Sequence, residues 1–111
     1  MESIIVDNKK RVDINQKKIV FLESVGNFTR KYSCNGSERL LVDDLNRLED
    51  ALPEEKFFRI NQSNIINADY LKRIQGRTIK NVLLQGGVEL YIEQDKYWEL
   101  LKFLKLKYNI W

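Results

Sequence analysis

Histidine is absent from this chain. That removes the commonest general base and the commonest metal ligand. Cysteine occurs once, at Cys34, so no internal disulfide can form. A zinc site needs several Cys or His ligands, and none is expected. A lone thiol suits a reducing setting, so a cytoplasmic location is expected. No apolar run approaches the ~20 residues that cross a membrane. The opening MESIIVDNKK lacks the shape of a signal peptide, because charges interrupt its short apolar run. Internal repeats, low-complexity segments and linkers are missing as well. Glu23 follows an apolar run, yet no second carboxylate is spaced to pair with it. With no nucleophile–base pairing either, neither an enzyme nor a cofactor is expected.

The chain has 111 residues, 43% hydrophobic and 32% charged. That is enough for one ordinary globular domain and too little for two. The net charge of +3, with an isoelectric point near 9.0, permits binding to a polyanion without demanding it.

Hydrophobic periodicity predicts many short strands and two helices. Ser3 to Val6 and Arg11 to Ile14 flank the turn residues Asp7 to Lys10 and read as a hairpin. Ile19 to Ser24 is almost continuously apolar, as in a strand covered on both faces. After Gly26-Asn27, Phe28 to Cys34 alternates with period two. Asn35-Gly36 is a hairpin signal, with Glu38 to Leu41 returning. Leu41, Leu45, Leu48 and Leu52 form one helical stripe, with Asp43 or Asp44 as cap and Pro53 as stop. Leu71 to Ile74, Thr78 to Leu84 and Val88 to Glu93 read as further strands. A last helix runs from about Asp95 to Lys107, with Tyr97, Leu100, Leu101, Leu104 and Tyr108 on one face. The expected fold is mainly β: about ten short strands in small stacked antiparallel sheets, one short helix in mid-chain and one at the C-terminus. One domain spans 1–111, with an N-terminal hairpin at 1–18, a core at 19–94 and the C-terminal helix at 95–111.

The chemically richest stretch is Phe57 to Asn67, FFRINQSNIIN. Buried amides must find partners, so this run is poor core material. It suits a loop pinned at both ends that offers its amides outward. Asn and Gln can pair with an adenine edge through two bonds at once. The alternative is a turn whose Asn and Ser side chains satisfy their own backbone.

Three blocks now carry a family likeness: IVFLESVGNFT (19–29), LNRLEDALPEEKFFRINQSNIIN (45–67) and VLLQGGVELYI (82–92). In this order and spacing the chain resembles the LytTR DNA-binding domain, the output module of many bacterial response regulators. The resemblance implies a compact β domain that reads double-stranded DNA through loops entering successive major grooves. Targets are expected to be paired direct repeats upstream of promoters, and the role is transcriptional control. Many members carry an N-terminal phosphorylated receiver, which is not recognisable in these residues.

Carried over position by position, the first reading loop matches Gly26 to Arg30. It includes Asn27, with Thr29 at a base-contacting position and Arg30 suited to a phosphate. The second matches Asn61 to Ser63, with Gln62 reading a base and Asn61 and Ser63 contacting the backbone. The third is Glu93-Gln94-Asp95-Lys96. Here the chain departs from the family, which usually has Ser followed by Arg. Gln94 or Lys96 would have to rebuild that contact, while Glu93 and Asp95 would repel phosphate. Arg30, Arg59, Lys72, Arg73, Arg77 and Lys80 could form a phosphate-facing surface, although Arg59 points opposite to its strand neighbours Phe58 and Ile60. The acidic third loop also supports an alternative, a protein-interaction module on the same fold with weak or lost DNA binding. Trp98, Phe103 and Leu106 lie off the main apolar face of the last helix, and Trp111 closes the chain. They suggest a surface for a second copy or a receiver domain; the alternative is a helix that wraps two faces of its own domain.

Overall fold

The computed structural model describes residues 14–108. Its elements run β1 (Ile19–Val25), β2 (Phe28–Ser33), β3 (Glu38–Leu41), α1 (Leu45–Ala51), β4 (Phe57–Asn61), β5 (Asn64–Asn67), β6 (Leu71–Gln75), β7 (Asn81–Leu84), β8 (Glu89–Tyr91) and α2 (Gln94–Tyr108). The first five strands form one antiparallel sheet, ordered β3-β2-β1-β5-β4. The last three form a second, ordered β6-β7-β8.

The larger sheet is covered on both faces, which explains the unbroken apolar run of β1. Ile19, Leu22 and Ile65 pack with the leucine stripe of α1 (Leu45, Leu48, Leu52), together with Leu41 and Phe57. Val20, Phe21 and Ile66 pack the opposite way, with Val82 and Leu84 of the second sheet and Leu100 and Leu104 of α2. A register shift between Ile19 and Phe21 lets the adjacent Val20 and Phe21 serve the same core. The chain therefore stacks α1, the large sheet, and then the small sheet with α2.

Local signals place α1. The Asp44 side chain accepts from the Arg47 N–H at 2.9 Å, and the Leu52 N–H closes on the Leu48 carbonyl. Pro53 follows with no N–H to continue the helix. The mainly β fold expected from the sequence is present, with eight strands and two α-helices among the described residues.

Several boundaries differ. Residues 1–13, and with them most of the expected N-terminal hairpin, lie outside the described residues. Ile14, expected to end its second strand, instead begins a short 3₁₀ turn, Ile14–Lys18. Thr78 and Ile79 lie in the bend before β7, and the Lys80 carbonyl accepts from the Ile92 N–H at 3.0 Å just ahead of that strand. Gly76 shapes that bend. Its φ is +104°, and a Cβ there would lie 2.1 Å from the Ile79 carbonyl oxygen, so only glycine fits. The expected third reading loop is largely helix, because Gln94, Asp95 and Lys96 form the first turn of α2. Phe103 is half-buried against Phe58, with ring centroids 5.3 Å apart, so it belongs to the core margin and not to a free surface.

Candidate nucleic-acid interface

Two hairpin turns meet at one edge of the large sheet. The β1–β2 turn carries Gly26 (φ +62°) and Asn27 at its tip. The β4–β5 turn consists of Gln62 and Ser63. The Ser24 N–H donates to the Ser63 carbonyl at 2.8 Å and holds the two turns side by side. Asn27, Gln62 and Ser63 are all exposed there. A shallow polar cleft of about 520 Å³ separates the tips from the start of α1.

The Gln62 turn is held from beneath. Arg59 donates from Nε to the Asn61 carbonyl (3.0 Å) and from Nη2 to the Gln62 carbonyl (2.6 Å). Its Nη1 reaches Asn46 Oδ1 (2.9 Å) and Glu49 Oε1 (2.7 Å) on α1. One guanidinium thus fastens the Asn61 and Gln62 carbonyls to a helix. Its side chain is only 14% exposed, so Arg59 is a clamp and does not belong to a phosphate-facing surface.

Asn61 does the complementary work. Its Oδ1 accepts from the Ser63 N–H at 2.7 Å, closing the turn. Its Nδ2 donates to Asn64 Oδ1 (3.2 Å) and to the Tyr91 carbonyl (2.6 Å), tying the large sheet to the end of β8. Asn64 donates onward to the Leu22 carbonyl, and Asn67 to the Ile19 carbonyl. The amide-rich stretch therefore divides. Asn61, Asn64 and Asn67 are buried and bond to distant backbone; only Gln62 and Ser63 face outward. The expectation of a loop with all its amides outward fails, because β5 takes Asn64 to Asn67 into the sheet. Asn61 is accordingly a turn-forming residue, and its side chain is not free for a DNA backbone contact.

Thr29 lies in β2 just behind the Gly26-Asn27 turn. It is fully buried, and its hydroxyl donates to the Asp43 carbonyl at 2.9 Å, anchoring the segment before α1. A side chain so placed cannot reach a base edge without the segment opening. Its face of β2 turns inward, as the burial of Lys31 two residues later also shows.

Arg30 lies inside β2, opposite Glu23 and not at the turn tip. Its guanidinium sits 3.9 Å from Glu23 and 4.0 Å from Glu38. Hydrogen bonding to Tyr32, ahead of those carboxylates, raises its pKa further and keeps it charged. Tyr32 in turn donates to Glu23 at 2.9 Å, and burial raises its pKa above the ordinary phenol value. A phosphate would have to compete with this network.

Gln94 and Lys96 separate at the start of α2. The helix is docked where the Glu93 N–H donates to the Ile60 carbonyl at 2.9 Å. Gln94 is exposed and lies beside Tyr91, Ile79 and Lys80. Lys96 turns away and pairs with Glu99 at 3.6 Å, facing a groove on the other side of the helix. Lys96 is thus not brought together with the turn tips. Lys80 donates to the Arg77 carbonyl at 2.6 Å and lies 4.8 Å above the Tyr97 ring.

The edge thus unites the Asn27 turn, the Gln62–Ser63 turn and the Tyr91–Gln94 segment. Tyr91 was not singled out in the sequence. Its signal was its place on the exposed side of the alternating strand, between Glu89 and Glu93. No helix among the described residues is long and apolar enough to cross a membrane.

Comparison with known proteins adds a lineage. The model of the LytTr DNA-binding domain family matches residues 9–105. No curated protein matches. Among solved structures, one similar chain is the LytTr DNA-binding domain of a Bacillus cereus protein assigned as a methyl-accepting/DNA response regulator. It shares 18% identity with a TM-score of 0.74, over 94% of this chain and 98% of that one.

Proposed function

This chain belongs to the LytTR DNA-binding domain family, a family of DNA-binding domains and not of enzymes, and from that premise we propose that it reads double-stranded DNA sequence-specifically to control transcription. The observation that carries the proposal is the Gln62–Ser63 turn. Its backbone is fastened by Arg59 and Asn61, while the Gln62 side chain stands exposed next to the Asn27 turn. A reading residue needs a fixed backbone and a free polar tip, since ordering a loose loop on binding costs affinity.

In this reading the two turns enter the major groove without a recognition helix. Gln62 pairs with the N6/N7 edge of adenine, a contact contributing roughly 1–3 kcal/mol of discrimination. Asn27 and Ser63 reach neighbouring base or phosphate atoms. Gln94 meets the next groove, with Lys80 and Arg77 towards phosphates, which position the domain without carrying sequence information. The start of α2 holds no arginine to pair with guanine, so the target differs from one read by the usual family pattern. Paired direct repeats would be occupied by two copies side by side. The domain would act in the cytoplasm as the output module of a two-component response regulator.

Selection of bound duplexes from a random DNA pool, run beside Gln62→Ala, tests this. Enrichment of a short motif, relaxed at one position by the variant, is the expected result. The same motif at unchanged strength with Gln62→Ala would remove Gln62 from the reading role. No enrichment at all would favour the protein-interaction reading, which the acidic groove described next supports.

A further inference from the structure

Far less DNA-like is the surface between α1 and α2. A groove of about 700 Å³ opens there. Its floor includes Phe57, Phe58 and Phe103, and its rim carries Asp50, Glu54 and Glu55. Among the described residues these three carboxylates have no ion-pair partner, and all three are exposed. Phosphate would be repelled by this rim. A basic segment with an apolar anchor would fit both floor and rim.

The same chain presents such a segment. From Lys102 to Tyr108, α2 carries three lysines and no acid. Trp98, Lys102 and Lys105 recur at four- and three-residue spacing and so share one outer stripe of the helix. Trp98 is 71% and the neighbouring Leu106 75% exposed. The stripe cannot fill its own groove. Phe103, Lys96 and Glu99 are the residues by which α2 walls that groove; Trp98 and Lys105 lie on another side of the helix, while Lys102 and Leu106 follow Glu99 by three and seven residues along its outer margin.

We propose that this groove receives the Trp98–Lys102–Lys105–Leu106 stripe of a second copy of the chain. The contact is head-to-tail: the stripe of one copy meets the groove of the next, leaving a free stripe and a free groove at the two ends. Its attraction is charge complementarity around an aromatic anchor, so it weakens as salt rises. The inference does not depend on how DNA is read.

The test is sedimentation velocity of the full chain over a concentration series at low and high salt. Two variants are compared, Lys102→Glu/Lys105→Glu and Glu54→Lys/Glu55→Lys. All four positions are exposed, and an unchanged circular dichroism spectrum confirms folding. The expected result is wild-type association that falls with salt, weakened by about tenfold or more in either variant alone. Mixing the two variants should restore association, because each supplies the complementary surface that the other has lost. A wild-type monomer at millimolar concentration would overturn the proposal. So would variants that associate like wild type, or a mixture that fails to recover. A groove that takes up a free lysine-rich peptide while the chain stays monomeric would also overturn it, by assigning the groove to another protein.

Discussion

Replacing Asn61 by alanine tests whether the reading turn is built the way its hydrogen bonds suggest. The side chain is buried and makes three contacts: to the Ser63 N–H, to Asn64 and to the Tyr91 carbonyl. A typical intramolecular hydrogen bond contributes about 1 kcal/mol net, and a buried partner left unpaired costs more. The exposed turn lets water reach Ser63, so its share is the smallest. The expected loss is roughly 2–3 kcal/mol, with a melting point lower by about 10 °C for a domain of this size. Urea unfolding is the direct assay: the midpoint should fall while the slope stays constant. Asn61→Asp sharpens the test. It keeps the shape but sets a carboxylate against the Tyr91 carbonyl, now 2.6 Å from Nδ2. Asn64 can turn its amide to donate only by giving up its bond to the Leu22 carbonyl, and the Tyr91 carbonyl cannot donate at all. At neutral pH the aspartate variant should lose at least as much stability as the alanine variant. A loss under about 1 kcal/mol for both would refute the claim that Asn61 ties the turn to β8.

Further outcomes follow from other contacts. Gln62→Ala removes an exposed side chain and should change stability by less than about 0.5 kcal/mol while relaxing base preference in a duplex-binding titration. Thr29→Val deletes the hydroxyl that holds Asp43, so stability should fall by about 1 kcal/mol in urea with no change in base preference. Gly76→Ala forces a Cβ against the Ile79 carbonyl at positive φ and should cost about 2 kcal/mol or more by thermal melting. Burial raises the phenol pKa of Tyr32 and of Tyr108 in the fold. The neutral forms are thus favoured on folding; stability should be complete below about pH 10 and decline above it, as the unfolded phenols ionise first.

Much of the architecture was legible because it rests on local signals. The leucine stripe with Asp44 before it and Pro53 after it specifies α1 within its own sequence. The continuous apolar run of β1 announced a sheet covered on both faces, and α1 and the second sheet supply the covers. The amides were harder. Nothing local distinguishes Asn64, bonded to a carbonyl 42 residues away, from Gln62, which faces solvent. Thr29 took its expected role from the family likeness, and period two gives two strand faces without saying which is inward. The third reading loop overlaps the helix that periodicity already placed from about Asp95, and α2 begins one residue earlier, at Gln94. Phe103 looked unpartnered because the β4 residue that covers it, Phe58, lies 45 positions earlier. Each of these depends on which distant strand arrives, and periodicity does not carry that information.

The central claim is that the paired turn tips are where DNA meets this fold. A nitrogen-15-resolved NMR titration with a selected duplex tests it most directly, because the Asn27, Gln62 and Gln94 side-chain amides report individually. Large shifts of the Gln62 and Asn27 side-chain amides, with the neighbouring Ser63 backbone, are the predicted result. Shifts concentrated instead around Asp50, Glu54 and Phe103, with the turn tips unmoved, would contradict it.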